Sequence, residues 1–183
     1  MAAALVVTGL TATDEQLDEW LSNRTLPLAR QMGYPLLVPA HLPDTAIQPP
    51  RRLALAVEDR AFRLAPNATA VAPLLDALGT EIVTVVVLPS DNWTGGHTGL
   101  SVARACGLAA SMPHSPLHKV GGEQPAPGIL HAVDALAADV LAVLDRGHDW
   151  VDRLFIDSTT DQILRQKQTP VLLLAAHDAL AAE

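Results

Sequence analysis

ADVLAVLDRGHDWVDRLFIDSTTDQILRQKQTPVLLLAA, residues 138–176, reads as a strand, a loop, a helix and a second strand, and the chain opens on another version of it. That version is AAALVVTGLTATDEQLDEWLSNRTLPLARQMGYPLLVPA, residues 2–40. With Thr25 set on Thr160 the two align without a gap. Arg30 then falls on Arg165, Gln31 on Gln166, Pro35 on Pro170, Leu37 on Leu172 and Ala40 on Ala175. An internal repeat constrains architecture more than a single motif does. It predicts a complete unit over residues 53–176, preceded by a partial repeat over 1–40 and a linker over 41–52, with a tail over 177–183.

The pattern of the complete unit alternates strand and helix. LALAV (53–57) is a continuous apolar run, and EIVTVVVL (81–88) is β-branched, as strands are. Residues 113–120 predict a strand that Pro116 confines to an edge. DVLAVL (139–144) and PVLLL (170–174) are the last two strands, and 4–8 and 35–38 are their counterparts in the partial repeat. Leu64, Ala68, Val71, Leu75 and Leu78 recur at helical spacing, predicting a helix with Pro66 in its first turn, a kink at Pro73 and a stop at Gly79. Further helices are predicted over 100–110, over 127–138 with Ile129, Val133 and Leu136 on one face, and over 158–167. Alternating strands and helices imply right-handed crossovers and an α/β fold, a doubly wound, five-stranded parallel sheet covered on both faces. Such sheets bind ligands beyond the strand C-termini, at the point where strand order reverses. That places the candidate site after Val57 and after Leu144.

Composition narrows the function. Hydrophobic residues make up 49% of the chain but aromatics only 3%, so the core is Ala, Val and Leu, as in parallel strands buried on both faces. Lys and Arg number 12 against 20 Asp and Glu, and a net charge of -8 argues against nucleic acid as a partner. The single cysteine, Cys106, permits no disulfide within the chain and fits a reducing cytoplasm, the expected location. MAAALVVTG lacks a signal's basic flank, and no apolar run approaches the roughly 20 residues that span a bilayer, so no membrane partner is expected.

From Leu53 to Leu174 the chain resembles the universal stress protein family. In that family the opening strand ends in an acidic turn. The close is a strand, Gly-x-x-Gly, nine residues, Gly-Ser/Thr, a helix, and a last strand entered through Pro-Val. Here the opening is LALAVEDR, and the close is VLDRGHDWVDRLFIDSTTDQILRQKQTPVLLL. The N-terminal block is similar to the same closing segment, so the chain resembles a tandem member whose first unit is represented by its last part. The resemblance implies the five-stranded, adenine nucleotide alpha hydrolase-like sheet, pairing of units near their last strands, and ATP or AMP binding in members that keep the glycines. Carried over to this chain, the nucleotide-binding positions are Val57, Glu58, Gly147, Ser158, Thr159 and Thr160.

The motif is degenerate. Leu144 and Asp157 stand at the first and third glycine positions and only Gly147 keeps the second; in the N-terminal block Gly9 remains, with Ala12 and Ser22 at the other two. Glycines let backbone N–H groups approach a phosphate, which Leu144 and Asp157 obstruct. Asp157 can cap the helix at 158–167 through the donors a phosphate would use. Asp145, Asp149 and Asp157 add negative charge, opposed by Arg146 and His148. Ser158, Thr159 and Thr160 serve either phosphate binding or helix capping.

Other candidates are weaker. His114 and His118 on one strand would sit about 13 Å apart, too far to share a metal. GGHTG (95–99) lacks the Lys of a phosphate loop and does not directly follow a strand. Cys106 reads as a small buried hydrophobe. No catalytic or metal constellation stands out. The sequence reads as a cytoplasmic, non-enzymatic stress protein with a degenerate nucleotide site and no required cofactor. It would act in the stress response by protein association, as a homo-oligomer, a dimer in which residues 1–40 take part. The alternative is an ATP- or AMP-binding stress regulator with slow or no hydrolysis.

Overall fold

The structure is a computed structural model that describes residues 4–7, 31–39, 48–90, 92, 94–146, 159–166 and 169–179. Its strands in chain order are β1 (Val6–Val7), β2 (Leu36–Val38), β3 (Arg52–Ala56), β4 (Phe62–Leu64), β5 (Glu81–Leu88), β6 (Leu117–Gly121), β7 (Val140–Asp145) and β8 (Val171–Asp178). The helices are α1 (Ala72–Leu78), α2 (His97–Ala105), α3 (Pro125–Leu136) and α4 (Thr159–Gln166).

Five strands, in the order β6-β5-β3-β7-β8, are mutually parallel. From β3 the chain first builds outward through β5 to β6, then returns to place β7 and β8 on the other side. Strand order therefore reverses between β3 and β7, where the sequence puts the candidate site. Both faces are covered. Leu53, Leu55 and Val57 pack with Val71, Leu75, Ala103 and Met112 on one face. Ala54 and Ala56 pack with Ala132, Val133, Ile163 and Leu164 on the other. The small residues of β3 let the helices approach closely, and each fully buried Leu or Val contributes about 1.5–3 kcal/mol.

Beyond β8 the sheet continues. β2 pairs with it antiparallel, Leu36 opposite Leu173, Leu37 opposite Leu172 and Val38 opposite Val171. β1 pairs with β2 in parallel, Val6 on Leu36 and Val7 on Leu37. These registers match the repeat alignment. Leu37 faces its own aligned residue, Leu172, so the aligned strands exchange places about that pair. Val6 on Leu36 corresponds to Leu141 on Val171 in the β7–β8 ladder. Gln31 and Met32 are helical, and the rest of the helix expected between β1 and β2 lies outside the described residues.

Several expectations are corrected. Leu64 is not helical: it closes β4, which pairs antiparallel with the far end of β8, Phe62 on Asp178 and Leu64 on Ala176. A 3-10 turn (Ala68–Val71) follows, and α1 starts only at Ala72, so Pro73 lies in its first turn and kinks nothing. Leu78, the last residue of the expected buried stripe, is 38% exposed. Gly79 ends the helix with φ +62, as expected. α2 begins at His97 rather than 100, because Gly96 turns the chain at φ +91. His114 lies in a 3-10 turn, so it shares no strand with His118. β8 runs to Asp178, into the expected tail, and β3 takes Arg52 from the expected linker.

Candidate functional site

The site is built where β3 and β7 end side by side. Val57 is buried and donates its N–H to the Val85 carbonyl (3.0 Å), which extends the β3–β5 ladder by one residue. Glu58, next along, is exposed and ion-paired with Arg60. Arg60 Nη1 lies 3.6 Å from Asp178 Oδ1 on β8. Arg146, the residue after β7, donates from Nη1 to the same Asp178 carboxylate. Glu58, Arg60, Asp178 and Arg146 thus form one chain of charges across the ends of β3, β7 and β8. The Arg146 side chain is only 9% exposed, and its Nη2 is buried without a hydrogen-bond partner among the described residues.

Asp59 takes a second role. One of its carboxylate oxygens accepts from the Gly96 N–H (2.7 Å) and the other from the Gly99 N–H (3.0 Å), at the start of α2. Gly96 has no side chain to cap the helix, so a residue 37 positions earlier supplies the acceptor. The close fit depends on Gly99, since a Cβ there would lie 2.5 Å from the Glu58 carbonyl oxygen. Partial burial pushes the Asp59 carboxyl up, but the N–H groups of Gly96, Gly99 and Thr98 and the charge of His97 outweigh it and hold the carboxyl below its ordinary value.

Asp59→Ala should therefore lower stability by about 1 kcal/mol at neutral pH. A carboxyl whose folded pKa is depressed contributes fully above its unfolded value, about 3.9, and loses that contribution as pH falls through the folded value. Urea midpoints of wild type and Asp59→Ala should differ at neutral pH and converge below about pH 4. A gap that persists unchanged at about pH 3 contradicts the capping role.

Of the six positions carried over from the resemblance, the structure brings Val57 and Glu58 to the strand ends, with Glu58 engaged by Arg60. Thr159 opens α4, with Thr160 next in the same first turn. Gly147 and Ser158 lie outside the described residues, as does Asp157. α4 itself is anchored by Ile163 and Leu164, both buried against the sheet. Cys106 is half-buried, and burial pushes its thiol pKa up, which suits packing rather than nucleophilic chemistry. Among the described residues there is no group of His, Cys, Asp and Glu that could hold a metal, and no helix long and apolar enough to cross a membrane. Sequence reasoning missed Asp59 as a helix cap and Asp178 as a partner of two arginines. The one available signal was Asp59 following Glu58 in the acidic turn after β3.

The universal stress protein family model matches residues 4–175. Among solved structures, the chain is similar to a universal stress protein from Archaeoglobus fulgidus DSM 4304, at 14% identity and a TM-score of 0.61, over 96% of this chain and 62% of that one. It is also similar to a putative universal stress protein from Pseudomonas aeruginosa UCBPP-PA14, at 17% identity and a TM-score of 0.55, over 94% of this chain and 63% of that one. These likenesses show the fold, and the chain spans less than two thirds of the length of either protein. None of the curated proteins matches it.

Proposed function

We propose that this chain, which belongs to the universal stress protein family, is a cytoplasmic stress-response protein that acts by protein association, its nucleotide site degenerate and closed by its own side chains. One observation carries the reading: Glu58, Arg60, Asp178 and Arg146 bond to one another across the strand ends, where a nucleotide would have to lie. The exposed pairs that Arg60 makes contribute only about 0–1 kcal/mol each. Their importance is that they occupy the ligand's place. The sequence supports the same reading, with Leu144 and Asp157 standing at two of the glycine positions.

Residues 1–40 are read as the closing part of a first unit in a tandem arrangement. The pairing of β2 with β8 about Leu37 and Leu172 supports this. A partial unit offers apolar surface and open strand edges that call for a cover, and a homodimer supplies one. Removing residues 1–48 takes away β1 and β2 and bares the β8 edge at Leu172 and Leu173. The truncated chain should differ from the full chain in oligomeric state by light scattering, or in solubility. Stable monomers of equal solubility in both cases contradict a role for the repeat in association.

A second reading is favoured by a specific observation, the buried Nη2 of Arg146, which has no hydrogen-bond partner among the described residues. A buried donor left unsatisfied costs about 1–3 kcal/mol, and the phosphate of ATP or AMP would satisfy it. In that reading the protein is a nucleotide-binding regulator with slow or no hydrolysis. Neither reading assigns a catalytic residue.

A further inference from the structure

Strand β1 ends the sheet on its side, and among the described residues nothing pairs with its outer edge. Val6 donates its N–H to the Pro35 carbonyl (2.9 Å), toward β2. Backbone polar groups alternate between the two edges of a strand, so Leu5 and Val7 direct theirs outward. The side chain of Val7 is exposed.

The repeat says what such an edge accepts. Val6 aligns with Leu141 and Val7 with Ala142, so β1 is the counterpart of β7. On β7 the corresponding edge is filled by β3, in parallel, with Leu53 on Val140, Ala54 on Leu141 and Leu55 on Ala142. Because β1 bonds to β2 in the register in which β7 bonds to β8, its outer edge offers the same ladder that β7 offers to β3. The opposite end of the sheet is guarded: β6 follows Pro116, carries His118 and Lys119, and ends at Gly121. β1 has no such guard, since Ala4 to Val7 are all apolar.

We propose that the outer edge of β1 is a strand-accepting site. It takes, in parallel, a short and wholly aliphatic β-strand of the β3 type from another polypeptide. Main-chain hydrogen bonds from Leu5 and Val7 would hold the strand, and its alternate Leu and Ala side chains would continue the two faces of the sheet. This rests on reading residues 1–40 as a partial copy, and it is separable from the homodimer.

Amide hydrogen exchange on the full chain, followed by NMR, tests it. The probe is a synthetic peptide with the sequence of residues 52–57, and the control is a second peptide with proline at the position of Ala54, whose backbone faces β7 in the β3–β7 ladder. Exchange at the Leu5 and Val7 amides should slow by about tenfold with the first peptide, not with the second, and not with rising concentration of the chain alone. Val7→Pro should abolish the effect while the Val6 amide stays protected. The proline peptide keeps the test decisive even if that variant fails to fold. No slowing with the first peptide overturns the proposal. Slowing that depends on the chain's own concentration also overturns it, assigning the edge to a second copy and leaving the homodimer reading intact. A monomer by light scattering that still binds the peptide sinks the homodimer and keeps the edge.

Discussion

Leu36→Ala should lower the free energy of unfolding by about 3 kcal/mol, within the range for emptying a buried leucine site. Leu36 is 1% exposed, faces Leu173 at 2%, and packs in one cluster with Leu141, Ile163, Leu164 and Val171. The loss would therefore fall on the core that β7, α4 and β8 share, although Leu36 lies on β2 near the start of the chain. Leu173→Ala should cost a similar amount, and the double variant less than the sum, because the two side chains share one cavity. Urea unfolding of the four proteins measures this. A Leu36→Ala loss below about 1 kcal/mol means that β2 is not docked on β8.

The second large effect is at Gly99. Gly99→Ala should cost about 3 kcal/mol, since its Cβ would meet the Glu58 carbonyl oxygen at 2.5 Å and Val57 Cγ2 at 3.2 Å. Neither neighbour yields easily, one being backbone and the other a buried branched side chain. The strain would also pull Asp59 from the start of α2. Gly79 is the control: it has open space but a left-handed φ of +62, so Gly79→Ala should cost only about 1 kcal/mol. If both variants lose the same amount, crowding at the candidate site is not what requires glycine at 99.

The sequence made local and repeated features legible. β5 lies where its β-branched run predicts it, over Glu81–Leu88. The resemblance implies pairing near the last strands, and β2 pairs with β8. Long-range devices were hidden. Leu64, Ala68, Val71 and Leu75 do form one buried stripe, yet the stripe crosses a strand, a 3-10 turn and a helix. Buried residues at helical spacing do not require one continuous helix. The three residues of β4 are held by pairing with the extension of β8, which local periodicity cannot register. In the candidate site, Val57 and Glu58 could be read from the acidic turn after β3. The Asp59 cap joins residues 37 apart, and Arg60 and Arg146 converge on Asp178 from separate strands, so neither leaves a local pattern.

The central claim is that this member of the family has closed its nucleotide site. Isothermal titration of the full chain with ATP and Mg²⁺ tests it most directly. A closed site gives no saturable heat below about millimolar ATP, an affinity weaker than about -4 kcal/mol. A dissociation constant in the low micromolar range, about -8 kcal/mol, lost on replacing Arg146 or Thr159, would contradict it and establish the nucleotide-binding reading instead.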